Sequence, residues 1–412
     1  MEQKTANKNL YEKLDNLLLE DIAITKEREA NTFDRLTDNK KVKIVIFGAG
    51  KLGLRTFEGL KKIDIEIVCF SDNNKVLWNT SIEGLIVLSP NEAVIKYPDA
   101  VFILTIYSAH IGHPLRVIQK QLSLLGSVKL ISFIYLFWKY HEIFLPYWRC
   151  DLPHKTIEQF ELVSAAFSIW SDDLSRKEYF AQIYWRLTGD DKYFTKPVSE
   201  EQYFPKDIFE LNTDEVFVDI GAFDGDTLKV FINESHEKFK HYYGYEPDQF
   251  GFDKLKDYVS EIPNDLKDKM TFKPIGIGSY NKKIKIETPG VYFKVLYPEE
   301  TNLYLSKTKS VDRDVDSMSL DSIDFKNNPT YLKMDVEGFE PEVIFGAKNI
   351  IKENKPILAI SIYHKFDHIW RLPLAINALT DGYTFFLRPH FHAGWELVFY
   401  AVPKHRVKIK VK

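Results

Sequence analysis

The chain is poor in cysteine. Cys69 and Cys150 are its only two, in no CxxC and no cysteine–histidine cluster. That excludes a disulfide framework and a structural zinc site, and it points to a reducing, cytoplasmic setting. Basic charge is not in excess either. A net charge of −4 and a pI near 6.3 exclude a broad nucleic-acid footprint. No apolar run approaches the roughly 20 residues of a membrane span. The most apolar stretch, "LISFIYLFW" at 130–138, is soon followed by Lys139, His141 and Glu142. The first residues, "MEQKTANKNLYEKLDNLLLEDI", are too polar for a signal peptide. Low-complexity tracts are absent as well, as is any internal repeat beyond two Rossmann-like halves.

What is present is core material: 45% of the 412 residues are hydrophobic, enough for two or three domains. Leu10, Leu14, Leu17, Leu18 and Ile22 recur at helical spacing, so 1–40 reads as an amphipathic helix, packed on the next domain or dimerising. From 41 to 148, strand-like runs "KVKIVIFGAG", "IEIVCFSDNN", "AVFILTIYS" and "SVKLISF" alternate with helical stretches, the pattern of a small parallel sheet. Phe144, Tyr147 and Trp148 beside 130–138 leave two readings open, a buried helix or a weak peripheral membrane surface. Residues 149–212 read as a helical connector.

A second α/β series fills 213–404, with a basic tail at 405–412. Its strands are "EVFVDI", "HYYGYE", "TFKPIGI", "TYLKMD", "PILAISI", "YTFFLR" and "ELVFYAV". The last two lie close enough for an antiparallel hairpin at the edge of an otherwise parallel seven-stranded sheet, the class I methyltransferase architecture. The expected fold is therefore α/β with two Rossmann-like modules. The long 279–329 stretch reads as an insertion.

Each module opens on a glycine turn, and the two carry opposite charge. Gly48, Gly50 and Gly53 match G-x-G-x-x-G between a strand and a helix, with Lys51 and Arg55 adding positive charge. Asp72 ends the next strand, where a carboxylate can hold a ribose diol. NAD, a nucleotide or a nucleotide-sugar all suit this turn, as does no ligand at all. The stretch "CFSDNN…IEGLIVLSP" resembles the N-terminal Rossmann domains of sugar-modifying acyltransferases, which implies a nucleotide-sugar.

The second turn runs Asp219, Gly221, Ala222, Phe223, Asp224, Gly225, Asp226, Thr227. Its aspartates would repel a pyrophosphate over the helix N-terminus. S-adenosylmethionine carries no phosphate and presents an ammonium and a sulfonium, charges that Asp219, Asp224 or Asp226 would attract. Glu246, followed by Pro247, ends the second strand and is placed for the ribose hydroxyls.

With "FVDIGAFDGDTL", "GYEPDQFGFDKLK", "SLDSI" and "YLKMDVEGFEPEVIFGAKNIIKENKPILAI", residues 213–403 resemble the FkbM family of S-adenosylmethionine-dependent methyltransferases. "DVEGFEPEVIFGA" resembles the family's D-V-E-G-x-E…L-x-G-A signature, while Phe223 and Gly225-Asp226 depart from its first motif. The resemblance implies O-methylation of hydroxyl acceptors, often on surface polysaccharides, lipopolysaccharides or other glycosylated products.

Methylating an alcohol needs alignment and removal of a proton. Asp335 ends the fourth strand, Glu337 lies two residues on, and His364 follows the fifth strand. Two versions arise: His364 as base, or Asp335 and Glu337 holding Mg²⁺ to acidify the hydroxyl. His390 and His392 are reserves, Glu337 has a helix-capping alternative, and "EQYF" at 201–204 is placed to fold over the cofactor. The competing functions are an NAD-dependent sugar oxidoreductase, against which the expected absence of a catalytic Tyr-x-x-x-Lys pair after the first turn counts, and a non-catalytic scaffold. A homo-oligomer fits any of these.

Overall fold

A computed structural model describes residues 2–38, 43–107, 113–126, 128–288, 294–295 and 311–408. Residues 41–42, 108–112 and Ser127 of the first module, part of the 279–329 insertion and the end of the basic tail lie outside them. The chain divides into two compact units: 1–164 with 177–197 and 391–395, and 165–176 with 198–390 and 396–412. The stretch expected as a connector is thus no separate element. Its helices Phe160–Ile169 and Asp173–Thr188 bury side chains such as Val163, Tyr179 and Ile183, and both units draw on it.

In the first unit the N-terminal segment is two helices, Glu2–Leu18 and Ile22–Leu36. The break falls where the Asp21 carboxylate accepts the Ala23 N–H and caps the second helix. Phe33 on that helix is fully buried in the unit's core. The strands are β1 (Ile44–Phe47), β2 (Ile67–Ser71), β3 (Ser81–Ile82), β4 (Leu85–Leu88), β5 (Val101–Leu104) and β6 (Lys129–Ser132). They line up as β3-β4-β2-β1-β5-β6, parallel except for the short β3–β4 hairpin. Strand order reverses between β1 and β5, the place where open α/β sheets bind ligands. Phe133, Leu136, Phe137, Trp138 and Phe144 are buried in this unit, so the stretch proposed as a membrane surface is core.

The second unit carries β7 (Val216–Ile220), β8 (His241–Tyr245), β9 (Met270–Lys273), β10 (Gly276–Ile277), β11 (Lys282–Thr288), β12 (Lys294–Val295), β13 (Val311–Met318), β14 (Tyr331–Met334), β15 (Ile357–Ser361), β16 (Tyr383–Pro389) and β17 (Leu397–Pro403). The main sheet runs β16-β17-β15-β14-β7-β8-β9, parallel from β15 to β9, with the β16–β17 hairpin antiparallel at one edge. All seven expected strands are there, and the fold is that of a class I methyltransferase. "TFKPIGI" splits, however: β9 stays in the main sheet and β10 joins a four-stranded sheet ordered β10-β13-β11-β12 within the insertion. Phe217, Tyr242, Tyr331 and Phe231 pack ring on ring, the first three toward the amino ends of their strands.

Candidate active site

The turn after β7 is pressed against the end of β14. A Cβ on Gly221, whose φ is +84°, would lie 2.0 Å from the Asp335 carbonyl, so no other residue fits there. The Gly221 and Ala222 N–H groups donate to the Tyr245 carbonyl and the Lys333 ammonium donates to the Gly221 carbonyl at 2.6 Å. Asp219 departs from expectation. It is fully buried under the turn, 2.9 Å from Lys333 Nζ and accepting the Tyr242 hydroxyl at 2.6 Å. Its charge is spent inside the fold, so it is a support and not a partner for a cationic ligand. Asp224, half-buried, and Asp226, exposed, carry the turn's outward acidity. Asp226 accepts the Thr227 N–H.

Glu246 is fully buried, and burial raises its pKa to about 8. One oxygen accepts the Phe223 N–H at 2.9 Å and the other the Asp248 N–H at 2.7 Å, so the carboxylate stitches the turn to the end of β8. Each oxygen keeps a second lone pair, which is what a vicinal diol needs. The residues therefore fit the ribose of S-adenosylmethionine. Phe223 adopts a left-handed φ of +42°, and its ring faces Gly251 at the start of the helix Gln249–Glu261, where a Cβ would come within 3.1 Å.

Beyond β14, Glu337 and Gly338 take φ of +55° and +100°, a bend that turns Glu340 back beneath it. Glu340 lies in the "DVEGFEPEVIFGA" motif, where nothing in the local sequence assigns it a role. It is fully buried, and one oxygen accepts the N–H groups of Val336 at 3.1 Å and Gly338 at 3.3 Å. The same oxygen accepts His364 Nδ1–H at 2.8 Å, and His368 Nδ1 lies 3.3 Å from the other. Burial opposes its ionisation, but His364 and His368 hold the carboxyl well below the usual range. Glu340 therefore ties off the bend that precedes the helix Glu340–Gly346, and that helix starts without a side-chain cap, from Glu337 or any other residue.

His364 is the hub. With Nδ1–H committed to Glu340, its Nε2 stands 3.3 Å from Asp335 Oδ1 and 3.7 Å from Glu337 Oε2. Although burial disfavours its charge, the carboxylates of Glu340, Glu337 and Asp335 lift its pKa to about 10. Glu337, half-buried, is itself raised to about 7, by burial first and by Asp335 and Glu340 against the help of His364. The sequence-selected trio thus converges.

Tyr203, from the "EQYF" segment, adds a fourth member. Its hydroxyl donates to Asp335 Oδ2 at 2.8 Å. Its backbone, at a left-handed φ of +70°, is clamped: the N–H donates to the Tyr400 hydroxyl, and the carbonyl accepts from the Tyr331 hydroxyl. His390 belongs to this scaffold and not to the chemistry. Its Nε2 accepts the Tyr400 hydroxyl proton at 2.8 Å and its Nδ1–H points to the Glu200 carbonyl, while burial lowers its pKa to about 4. His392 sits in the 391–395 segment of the other unit. Glu396, another residue the sequence did not single out, receives the Tyr363 hydroxyl at 3.0 Å and the Gln202 amide at 2.7 Å.

A metal reading needs donors with lone pairs to spare. Asp335, Glu340 and His364 each bring a ligand atom within 4.8 Å of the others, but Glu340 already takes three donors on one oxygen. For the expected Asp335–Glu337 pair, Oδ2 of Asp335 is held by Tyr203, and His364 Nε2 occupies the ground between the carboxylates. Their own imidazolium supplies the positive charge that Mg²⁺ would bring. The set does not fit Mg²⁺.

In the first unit, Gly53 is required by packing, since a Cβ would lie 1.9 Å from the Gly48 carbonyl. Gly50 faces open space, with nothing within 4 Å of an added Cβ, which leaves the turn bare for a ligand. Lys51 is exposed on the first helical turn, whereas Arg55 is committed to the Phe144 carbonyl and the Tyr147 ring. Asp72 accepts the Ala49 N–H and the Asn74 N–H, both at 2.7 Å. A Tyr-x-x-x-Lys spacing follows this turn at Tyr135 and Lys139, but the phenol donates to the Thr188 carbonyl and the ammonium to Asp34. Those bonds commit both groups elsewhere and disfavour the oxidoreductase.

Comparison with known proteins bears on the family and the fold. Residues 219–388 match the model of the methyltransferase FkbM domain, and residues 40–120 the C2185-like N-terminal model. The crystal structure of methyltransferase FkbM from Methylobacillus flagellatus aligns with a TM-score of 0.75 at 20% identity, over 96% of this chain and 98% of that one, which shows a shared fold. UDP-D-quinovosamine 4-dehydrogenase from Vibrio fischeri aligns over 22% of this chain and 77% of its own at 22% identity, and its TM-score of 0.20 carries no argument. No curated protein matches the chain. No helix among the described residues is long and apolar enough to cross a membrane. The chain is a methyltransferase, and its second unit carries a domain of the FkbM family.

Proposed function

We propose that the chain transfers the methyl group of S-adenosylmethionine to a hydroxyl of a carbohydrate or glycoconjugate. The observation that carries this reading is the line Glu340–His364–Asp335/Glu337 at the carboxyl edge of β14 and β15, beside the acidic turn and Glu246. S-adenosylmethionine, when bound, supplies an electrophilic methyl group on a sulfonium. Everything else falls to side chains of the chain.

Glu340 fixes the imidazole tautomer, so that Nε2 is the end that exchanges protons, the logic of a carboxylate–histidine pair. In the resting site that nitrogen is protonated. His364 becomes a base once its Nε2 proton leaves, and the pKa that holds the proton is set by the carboxylates around it. A ligand cation that pairs with Asp335 or Glu337 competes with the imidazolium and lowers that pKa, so occupancy of the site prepares the base. Tyr203 keeps Asp335 aligned. The acceptor hydroxyl would then lose its proton to His364 as the new C–O bond forms.

The first unit's glycine turn suits a nucleotide or nucleotide-linked sugar: Gly50 is bare, Lys51 is exposed, and Asp72 has lone pairs left for a diol. The free, buried thiols of Cys69 and Cys150, both raised to about 12 mainly by burial, accord with a reducing compartment.

The test is transfer of labelled methyl groups to glycan acceptors. His364→Ala should lower turnover by about 10²–10⁴ while S-adenosylmethionine still binds. Undiminished turnover would remove His364 from the chemistry, and failure of every glycan as acceptor would remove the substrate class.

A further inference from the structure

Glu396 is a carboxylate of the second unit that the methyl-transfer chemistry above does not use. It directly precedes β17, and its backbone takes a left-handed φ of +48°, which few residues other than glycine adopt. One of its oxygens receives the Tyr363 hydroxyl at 3.0 Å and the other the Gln202 side-chain amide at 2.7 Å. Both partners flank the reaction centre. Tyr363 precedes His364, with the two ring centroids 4.2 Å apart, and Gln202 precedes Tyr203, whose hydroxyl holds Asp335.

Two features leave this carboxylate open to a ligand. Its donors are neutral, and each oxygen keeps a lone pair beyond the one they occupy. The residue is only half-buried, so a bound molecule can reach it. It also stands in the field of the reacting groups: burial first and the Asp335 charge second raise its pKa, against the Gln202 hydrogen bond and the His364 charge. We propose that Glu396 is a specificity-determining residue, a proposal that rests on methyl transfer to a glycan hydroxyl. It accepts a hydrogen bond from a second hydroxyl of the same sugar and so turns the first toward His364.

The charges around Glu396 select that ligand group over others. A phosphate or carboxylate would face Glu396, Asp335 and Glu337 together. An ammonium would set a second cation beside the sulfonium of the cofactor. An apolar group would cover the carboxylate and leave its lone pairs without donors. A hydroxyl donates without changing the charge of the site. Two anchored hydroxyls on one ring also fix its orientation, which a single contact leaves free, and in-line transfer depends on that orientation.

The test is steady-state transfer of labelled methyl groups by the full chain, with methyl glycosides of glucose, galactose and mannose as acceptors. For each glycoside that the wild type methylates, the monodeoxy derivatives are compared with their parent. In the wild type, loss of one hydroxyl other than the one methylated should raise KM about 10- to 100-fold, the worth of a hydrogen bond to a charged group, with kcat changing less. In Glu396→Gln the parent's KM should already be raised, and the same deoxy derivative should cost less than about twofold more, the signature of direct coupling between residue and hydroxyl. S-adenosylmethionine binding should be unchanged in that variant. Glu396→Asp, which keeps the charge but draws it back by one methylene, should show the same loss of penalty if Glu396→Gln does not fold. If Glu396 merely holds Gln202, kcat falls and the deoxy penalty stays whole, which would overturn the proposal. A wild type indifferent to every deoxy derivative, or one that prefers an amino-deoxy analogue to its parent, would overturn it too. Transfer to none of the three glycosides would overturn the methyl-transfer reading and this inference together, whereas transfer with the penalty intact in Glu396→Gln overturns this inference alone.

Discussion

The two glycine turns are built alike and charged oppositely. In both, the acidic residue that follows the second strand reaches back to a turn N–H: Asp72 to Ala49 at 2.7 Å, Glu246 to Phe223 at 2.9 Å. In both, the carboxylate's other oxygen takes the N–H two residues ahead, Asn74 or Asp248. In both, the strand on the far side donates a side-chain hydrogen bond to the first glycine's carbonyl, Thr105 to Gly48 and Lys333 to Gly221. The backbone solution is shared. The differences lie in the ends that face outward, Lys51 against Asp224 and Asp226, and in what lies under the floor. Thr105 is a neutral hydroxyl, whereas Lys333 is a buried cation that needs Asp219 beneath it. An acidic residue in such a turn can therefore be scaffold or site, and only its partners tell which.

That difference under the floor sets the largest expected effect. Lys333→Met leaves Asp219 buried without its cation and should cost about 3–5 kcal/mol in denaturant unfolding. Thr105→Val should cost about 1 kcal/mol. Equal costs would mean that the floors are equivalent. The stitching carboxylate gives a pH-dependent contrast. Burial raises Glu246 from 4.5 to about 8, so its contribution to stability is complete below pH 4.5 and is lost as pH rises towards 8. Glu246→Gln, which cannot ionise, should gain on the wild type across that window by up to about 4 kcal/mol, measured as stability against pH. Smaller still, Gly53→Ala should lose about 1–3 kcal/mol to overpacking against the Gly48 carbonyl. Gly50→Ala, with open space around it, should unfold like the wild type.

Much of this was legible from the residues. Long apolar runs bounded by turns marked all seven strands of the second sheet, and the strand-end positions of Asp335, Glu337 and His364 brought them together correctly. What escaped was pairing across long sequence separations. Asp219 and Lys333 lie far apart in the chain, so nothing near Asp219 showed that it was already neutralised. Glu340 sat in a quoted motif, but its role depends on left-handed backbone at Glu337 and Gly338 that folds it under His364. The two-residue strands β3 and β10 are too short for a periodicity to register. The expected connector is instead divided between the compact units, 165–176 grouping with the second and 177–197 with the first, a division set by contacts distant in sequence.

The central claim is that the outward charge of the second turn, together with Glu246, selects a cationic, phosphate-free cofactor. Calorimetric titration of S-adenosylmethionine into the wild type, Glu246→Ala and the Asp224→Asn/Asp226→Asn double variant tests it most directly. The account predicts one site in the wild type, lost in Glu246→Ala and weakened about tenfold or more in the double variant, about 1.4 kcal/mol. No binding to the wild type, or affinities unchanged in both variants, would contradict it.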